Sequence, residues 1–232
     1  MAFRENVALH MEIRDIVIAN LVLIIAFTLA LSGGVFSLGR PDAIGSLVLI
    51  LPIAAIGVTL NFVVHELMHR TMARHYGAIA GFRTSLSGLF VTLITGALGF
   101  LLGIPGATMI YASRFSIKEH GIVSIAGPAT NLVIFLGVMV ATFLIAPVTG
   151  SYMQAALSFL AFISLWLAFF NLLPIPPLDG HAVFTWNKPV YIAAMGGTLA
   201  LIVLLHFVSI ASLIYVIIIA LVMSQFMRFT MR

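Results

Sequence analysis

The sequence predicts an all-α polytopic membrane protein of about six transmembrane helices, with a small membrane-associated β-strand or re-entrant region. Hydrophobic residues make up 62% of the 232 residues and charged residues only 8%, whereas a soluble domain carries about 25% charged residues. The mean hydropathy is +1.20. Apolar runs recur at lengths near the ~20 residues that a helix needs to cross a bilayer. We therefore expect one domain, residues 1–232, with a core at about 44–180 and no separate soluble domain.

Six apolar runs are long enough to cross or nearly cross the hydrocarbon. They lie at residues 16–32, 44–69, 121–147, 152–172, 190–205 and 208–227. Acidic residues precede the first run and no small-residue cleavage site is evident, so we expect this run to be retained. Upstream of it, residues 7–14 follow a period of two, which favours a short strand, with an amphipathic helix as the alternative.

A seventh apolar stretch, residues 86–104, differs from the other six. It is interrupted by four glycines, ends before Pro105, and is rich in Thr, Val and Phe. Glycine and proline interrupt regular structure, whereas β-branched and aromatic residues favour strands. The pattern indicates a re-entrant or strand-like segment that does not span the bilayer.

The distribution of basic residues supports a non-spanning stretch, because lysine and arginine near span ends collect on the cytoplasmic side. If residues 86–104 do not cross, Arg40 alone lies outside and the other ten of the eleven Lys and Arg residues lie inside. Both termini are then cytoplasmic. Crossing would move Arg114, Lys118 and Lys188 outward and weaken the bias. The basic residues are scattered singly, so we expect a lipid bilayer and no nucleic acid as partner.

The chain contains no cysteine. This excludes disulfides, thiolate nucleophiles, iron–sulfur clusters and cysteine-ligated zinc. A bound metal ion must therefore be held by histidine, aspartate or glutamate.

An HExxH pattern at His65, Glu66 and His69 ends the second apolar run. On a helix, residues four apart share a face, so both imidazoles can bind one metal while Glu66 reaches its water. Zinc lowers the pKa of bound water, and Glu66 can accept the proton and pass it to a leaving amine. A chance match is the alternative. A charged residue within a span costs at least ~2.5–3.5 kcal/mol, which favours a compensating metal.

A hydrolytic zinc site usually has three protein ligands, so two histidines require a third donor. Asp179 is the leading candidate, because the other carboxylates besides Glu66 fall in the terminus or in loops. They are Glu5, Glu12, Asp15, Asp42 and Glu119. Asp179 follows three prolines that end a helix and keep the backbone extended. A capping aspartate in a helix-terminating turn remains the alternative.

Two separated motifs, HELMH at residues 65–69 and NLLPIPPLDG at residues 171–180, resemble the site-2 protease family of intramembrane zinc metalloproteases. The segment GPATN, residues 127–131, is similar to the family's GPxxN element. The resemblance covers the helix order over most of the chain. Met68 and His181 depart from residues common in the family, but neither removes a ligand.

The resemblance implies that His65, His69 and Asp179 bind one zinc ion, that Glu66 is the catalytic base, and that Asn171 holds the substrate or the developing oxyanion. An amide can stabilise such a negative charge. A helix–helix hydrogen bond is the alternative for Asn171.

The family's activity implies a transmembrane protein as substrate and the cell membrane as location. A glycine-rich segment at about 81–113 could pair with an extended substrate by strand addition. The alternatives are a metal-binding or metal-transporting membrane protein, in which Glu66 has no distinct task, and a catalytically silent family member that acts as a scaffold.

Overall fold

The computed structural model describes residues 2–112, 114–205, 217–218, 221–222 and 225. Within them the chain is mostly helical, with one small sheet. The helices are α1 (Ala2–Leu31), α2 (Ala43–Val58), α3 (Val64–His75), α4 (Leu86–Ala97), α5 (Ile117–Ile145), α6 (Ser151–Asn171), α7 (Asp179–Trp186) and α8 (Lys188–Leu204). The strands are β1 (Ile79–Thr84) and β2 (Gly106–Tyr111).

Four helical segments of the described chain are long and apolar enough to cross a membrane. They are Met11–Leu31, Ala43–His75, Ile117–Val148 and Ser151–Asn171. The fifth predicted run corresponds to α8, which has 17 residues and is a shorter apolar helix. Most of the sixth predicted run, 208–227, lies outside the described residues. The fold is therefore that of a helical membrane protein, and the predicted count of six spans is not confirmed.

The strand favoured for residues 7–14 is wrong, because α1 begins at Ala2 and is continuous through this region. Glu12 and Asp15 are three residues apart and so lie on one face of the helix. Both are buried, and they pair with Arg70 (3.4 Å) and Arg83 (3.5 Å). The sequence predicted that both lie in the terminus or in loops, whereas both lie within the helix α1. The two ion pairs attach α1 to α3 and β1, a tertiary effect that a local period of two cannot indicate.

Residues 86–104 form a helix followed by an extended return, so of the two predicted alternatives the re-entrant segment fits and the strand does not. The Ser85 hydroxyl caps α4 by accepting from the Gly88 N–H. The chain then doubles back until the Ser85 N–H donates to the Pro105 carbonyl at 3.0 Å. Its two ends therefore meet, which agrees with a re-entrant path. At 12 residues, α4 is too short to span a bilayer.

Threonine hydroxyls hold the returning segment against α4. Thr92 Oγ1 accepts from the Ile104 N–H at 3.1 Å, and Thr95 Oγ1 accepts from the Leu102 N–H at 3.2 Å. Both hydroxyls also donate to carbonyls within their own helix. These threonines satisfy buried backbone groups that would otherwise lack partners. Their β-branched side chains are typical of a strand, but in the structure their hydroxyls join the helix α4 to the extended segment that follows it.

The strands β1 and β2 pair antiparallel, with Phe82 opposite Thr108 and Ala80 opposite Ile110. The Phe82 N–H donates to Glu12 Oε1 at 3.3 Å, away from β2. Opposed residues in such a pair alternate between exchanging both backbone hydrogen bonds and exchanging none. Phe82 and Thr108 thus form a pair that exchanges no backbone hydrogen bonds. The backbone N–H and C=O groups of Thr108 and Ile110 therefore point to the edge of β2 that faces away from β1.

The core lies where α5 and α6 pack together and where α1 packs on α4 and α2. Its largest fully buried apolar side chains include Phe27, Phe135, Phe169, Phe170, Leu102 and Ile163. The helix α5 also contacts α3 and α7, the two short helices that carry the predicted metal ligands. The long helix α5 thus supports both halves of the site.

Candidate metal centre

The helix α3 brings His65 and His69 together on one face. It continues α2 through a single π-helical turn at Thr59–Val63, immediately before the motif. The spacing of four residues places the rings one turn apart. Both side chains are buried, and their Nε2 atoms lie 2.9 Å from each other.

Asp179 reaches the same point from the distant end of the chain. It is the first residue of α7, after the proline-rich loop that follows α6. Its Oδ2 lies 3.2 Å from His65 Nε2 and 3.1 Å from His69 Nε2. A Cβ at Gly180 would overlap the carbonyls of Leu172 and Leu173, so the absent side chain allows the loop to fold closely onto the end of α6. The carboxylate oxygen therefore faces the imidazoles rather than serving only as a helix cap.

The three donors fit a metal ion. His69 Nδ1 lies 2.8 Å from the Val123 carbonyl, an acceptor, so Nδ1 carries the proton and the Nε2 lone pair of the neutral ring faces inward. The Nε2 atoms of the two imidazoles and a carboxylate oxygen thus converge on one point, an arrangement that a cation stabilises when both nitrogens are unprotonated. Tetrahedral zinc, with bonds of about 2.0–2.2 Å, separates its ligands by about 3.3 Å. The observed separations of 2.9, 3.1 and 3.2 Å are close to this value.

Gly127 of α5 forms the wall of the cluster. A Cβ at this position would lie 2.5 Å from the Nε2 atoms of both His65 and His69. Such a separation is too short for a carbon atom beside a nitrogen. The glycine therefore leaves space at the point where the ligand atoms meet.

Asp179 lies outside the four candidate spans. Burial acts to raise the pKa of its carboxyl, but when no metal ion is bound and the histidines are protonated, the charge of His69 and hydrogen bonds from both imidazoles lower that pKa to about 2. The carboxylate is therefore ionised, which is the form that binds a metal ion.

Glu66 occupies the position next to the first histidine and is also buried. Its Oε2 accepts a hydrogen bond of 2.8 Å from Thr108 Oγ1 on β2. The carboxylate lines the same cleft as the three metal donors. Since Thr108 holds one oxygen, the orientation of the carboxylate is defined by the sheet as well as by α3.

The cleft consists of two neighbouring cavities. A cavity of about 50 Å³ contains the metal donors, Glu66, Asn131 and Asn171. A second, of about 260 Å³, shares His69 and Asp179 with it and lies between β2 and the segment 176–182. His120 and His181 line only the second cavity. His181 is not in the cluster of three donors.

Asn171, the last residue of α6, lines the cleft. Its Nδ2 donates to the Leu167 carbonyl of its own helix at 2.9 Å, not to a neighbouring helix. Sequence reasoning gave no role to Thr108 or Asn131. Thr108 had no signal, since an isolated threonine has no distinguishing pattern, whereas Asn131 belongs to the quoted GPATN segment.

Comparison with curated proteins finds relatives that share the printed name "Putative zinc metalloprotease". MJ0611 of Methanocaldococcus jannaschii is 37% identical over 145 residues, which are 62% of this chain and 75% of that protein. Rip2 of Mycobacterium tuberculosis is 32% identical over 139 residues, 54% of this chain and 53% of Rip2. YwhC of Bacillus subtilis is 32% identical over 155 residues, 58% of this chain and 68% of YwhC. No protein-family model and no solved structure matches the chain.

The fold and the site define a class, a helical membrane protein with an HExxH motif and a distant aspartate at one candidate metal centre. The names of the relatives imply zinc as the metal. The chain belongs to the site-2 protease family of zinc metalloproteases. It spans three quarters of the archaeal relative but only about half of Rip2.

Proposed function

We propose that the protein is an intramembrane zinc metalloprotease that hydrolyses peptide bonds of transmembrane protein substrates. One observation carries the proposal: His65, His69 and Asp179 converge within 3.2 Å of one another, with Glu66 buried in the same cleft. The three converging residues would hold one zinc ion per chain. The site is built on apolar helices of membrane-spanning length, which supports a substrate that is itself in the membrane.

Zinc, when bound, would act as a Lewis acid that polarises a peptide carbonyl and makes a water molecule more acidic. Glu66 is the general base: its carboxylate takes a proton from the attacking water and delivers it to the amide nitrogen as the C–N bond breaks. Thr108 orients this carboxylate by its hydrogen bond to Oε2. The Val123 carbonyl fixes the ring of His69, so its Nε2 remains directed at the metal.

Asn171 is proposed to donate a hydrogen bond to the oxygen of the scissile carbonyl as negative charge develops there. Its carboxamide lines the cleft, and one of its two N–H groups donates to the Leu167 carbonyl. A primary amide has a second N–H. Anchoring by Leu167 would hold that second donor in place before the reaction begins, as oxyanion stabilisation requires.

We further propose that substrate binds as an added strand at the outer edge of β2. The backbone groups of Thr108 and Ile110 point to that edge, and the 260 Å³ cavity borders it. A substrate helix protects its peptide bonds by internal hydrogen bonding, so it must unwind before cleavage. Pairing with β2 would replace the lost hydrogen bonds and place the extended segment beside Glu66. Unchanged amide exchange across 81–113 on peptide binding would contradict this mode.

The proposed location is the cell membrane, with both termini cytoplasmic. The ten-to-one distribution of basic residues supports this orientation. A short re-entrant α4 is also consistent with it, since the chain returns to the side from which it entered.

The experiment that tests the function measures zinc content together with cleavage of a transmembrane-helix peptide by the purified protein. We expect stoichiometric zinc and cleavage in wild type, zinc without cleavage in Glu66→Gln, and weakened zinc binding in Asp179→Ala. Full zinc retention in Asp179→Ala would reject Asp179 as the third ligand and make His181 the next candidate. Metal transport without cleavage by wild type would favour the transporter alternative, in which Glu66 has no task.

A further inference from the structure

Asn131 has an unusual environment in the middle of α5. Its side chain is fully buried, with 0% exposure. Among the residues that the structure describes, neither its Nδ2 nor its Oδ1 has a hydrogen-bond partner. Buried amide groups almost always have partners, because an unsatisfied polar atom costs about 1–3 kcal/mol. A polar side chain kept in such a position therefore indicates a partner beyond the described part of the chain.

The position of Asn131 identifies where this partner would lie. Asn131 is four residues after Gly127 and so lies on the same face of α5. Gly127 is the residue that packs against the Nε2 atoms of both histidines. Asn131 lines the 50 Å³ cavity together with the metal donors, Glu66 and Asn171. The orphaned carboxamide thus belongs to the cleft in which the proposed reaction takes place.

The chemistry of the side chain favours a peptide group as its partner. A carboxamide offers a donor and an acceptor side by side, and a peptide backbone offers the complementary acceptor and donor. A metal ion is a poor match, since zinc prefers imidazole, thiolate and carboxylate ligands. An unwound substrate segment in an apolar cleft would in turn have unpaired backbone groups that are costly to bury. The Asn131 carboxamide and the substrate backbone would therefore supply each other's missing hydrogen-bond partners.

We infer that Asn131 is a substrate-binding residue whose carboxamide pairs with a backbone peptide group of the unwound substrate. The inference rests on the proposed function, and it assigns a role distinct from that of Asn171. Asn171 is anchored to its own helix and is placed to stabilise developing charge. Asn131 has both polar atoms available for a ground-state contact. Loss of Asn131 should therefore raise KM, whereas loss of Asn171 should lower kcat.

The test measures binding separately from cleavage. A fluorescent transmembrane-helix peptide is titrated into the Glu66→Gln protein in nanodiscs, with and without Asn131→Leu. Leucine keeps the number of side-chain heavy atoms and the branching at Cγ and removes both hydrogen-bonding atoms. We expect Asn131→Leu to weaken peptide binding by about tenfold, with zinc content unchanged. Selective ¹⁵N labelling of asparagine gives a second readout. The side-chain amide signal that is missing in Asn131→Leu identifies Asn131, and this signal should shift when peptide binds to the Glu66→Gln protein.

The control is Thr142→Val on the same helix. Thr142 donates to the Val138 carbonyl within α5 and does not line either cavity. It should leave peptide affinity unchanged.

Equal affinity with and without Asn131→Leu, or an Asn131 signal that does not move, would overturn the inference, as would the absence of peptide binding. If an ordered water is the partner of Asn131, Asn131→Leu should lower the thermal stability and leave the peptide affinity unchanged. That result would also overturn the inference. If wild type fails to cleave the peptide but binds it through Asn131, the proposed protease activity fails while this contact stands.

Discussion

The hydroxyl of Thr108 donates a 2.8 Å hydrogen bond to Oε2 of Glu66, linking the strand β2 to the helix α3 across 42 residues of sequence. The same residue has its backbone N–H and C=O directed to the free edge of β2. One residue thus contacts the proposed base through its side chain and the proposed substrate strand through its backbone. This arrangement places strand binding and proton transfer next to each other.

Thr108→Val should lower kcat by roughly ten- to a hundredfold, because it removes a charge-assisted hydrogen bond of about 1.5–3 kcal/mol. Zinc content should not change, since Thr108 does not contact the metal donors. Steady-state cleavage of a transmembrane peptide measures the effect. Thr108→Ser retains the hydroxyl and should retain most of the activity. Equal loss in the serine and valine variants would show that the methyl group, not the hydrogen bond, matters.

Gly127→Ala should weaken zinc binding by at least tenfold, because the added Cβ would lie 2.5 Å from the Nε2 atoms of His65 and His69, the proposed ligands, and must displace a ring. Competition with a chelator of known affinity measures the change. Gly137→Ala, on the same helix, is a matched control, since among the described residues no atom outside the backbone of its own helix and its two chain neighbours lies within 4 Å of its added Cβ. It should bind zinc as wild type does, and it should gain slightly in helix stability. Normal zinc affinity in Gly127→Ala would contradict the tight packing at the centre.

Glu12→Ala should destabilise the protein by roughly 3–5 kcal/mol, because it leaves Arg70 and the Phe82 N–H without their buried carboxylate partner. Thermal unfolding in detergent, followed by helical circular dichroism, measures this. Arg14→Ala is the comparison: the Arg14 side chain is 66% exposed, and its buried partner Asp15 also pairs with Arg83. Exposed pairs contribute about 0–1 kcal/mol, so only a small shift is expected. Similar losses in both variants would argue against a structural role for the buried pair.

Ile110→Pro should raise KM for a transmembrane peptide while zinc content stays constant. Proline removes the N–H that points to the free edge of β2, and it spares the hydrogen bonds to β1 because Ile110 faces Ala80 in a non-bonded pair. Ile110→Ala controls for the lost side chain and should have a smaller effect. If the alanine and proline variants have the same KM, the edge N–H does not take part in substrate binding.

Much of the site could be predicted because its residues occur in short, spaced patterns. His65 and His69 are four apart, and Asp179 is the carboxylate that follows a proline-interrupted helix end, so chemistry and spacing named the three residues that the fold brings within 3.2 Å. The strand predictions were less successful. Residues 7–14 and 86–104 had a strand-like local composition, but the pairing of Glu12 with Arg70 and the Thr92 and Thr95 hydrogen bonds belong to helical structures.

The sequence by itself determined the membrane class, the type of metal donor and the residues that could provide it, since these depend on composition and on spacing within single segments. Only the tertiary structure decided the partners of each group. Thr108 beside Glu66, Gly127 against two imidazoles and Asn131 without a partner all arise where distant segments meet. Contacts of this kind are set by packing and by the need to satisfy buried polar atoms. No local pattern in the chain encodes them.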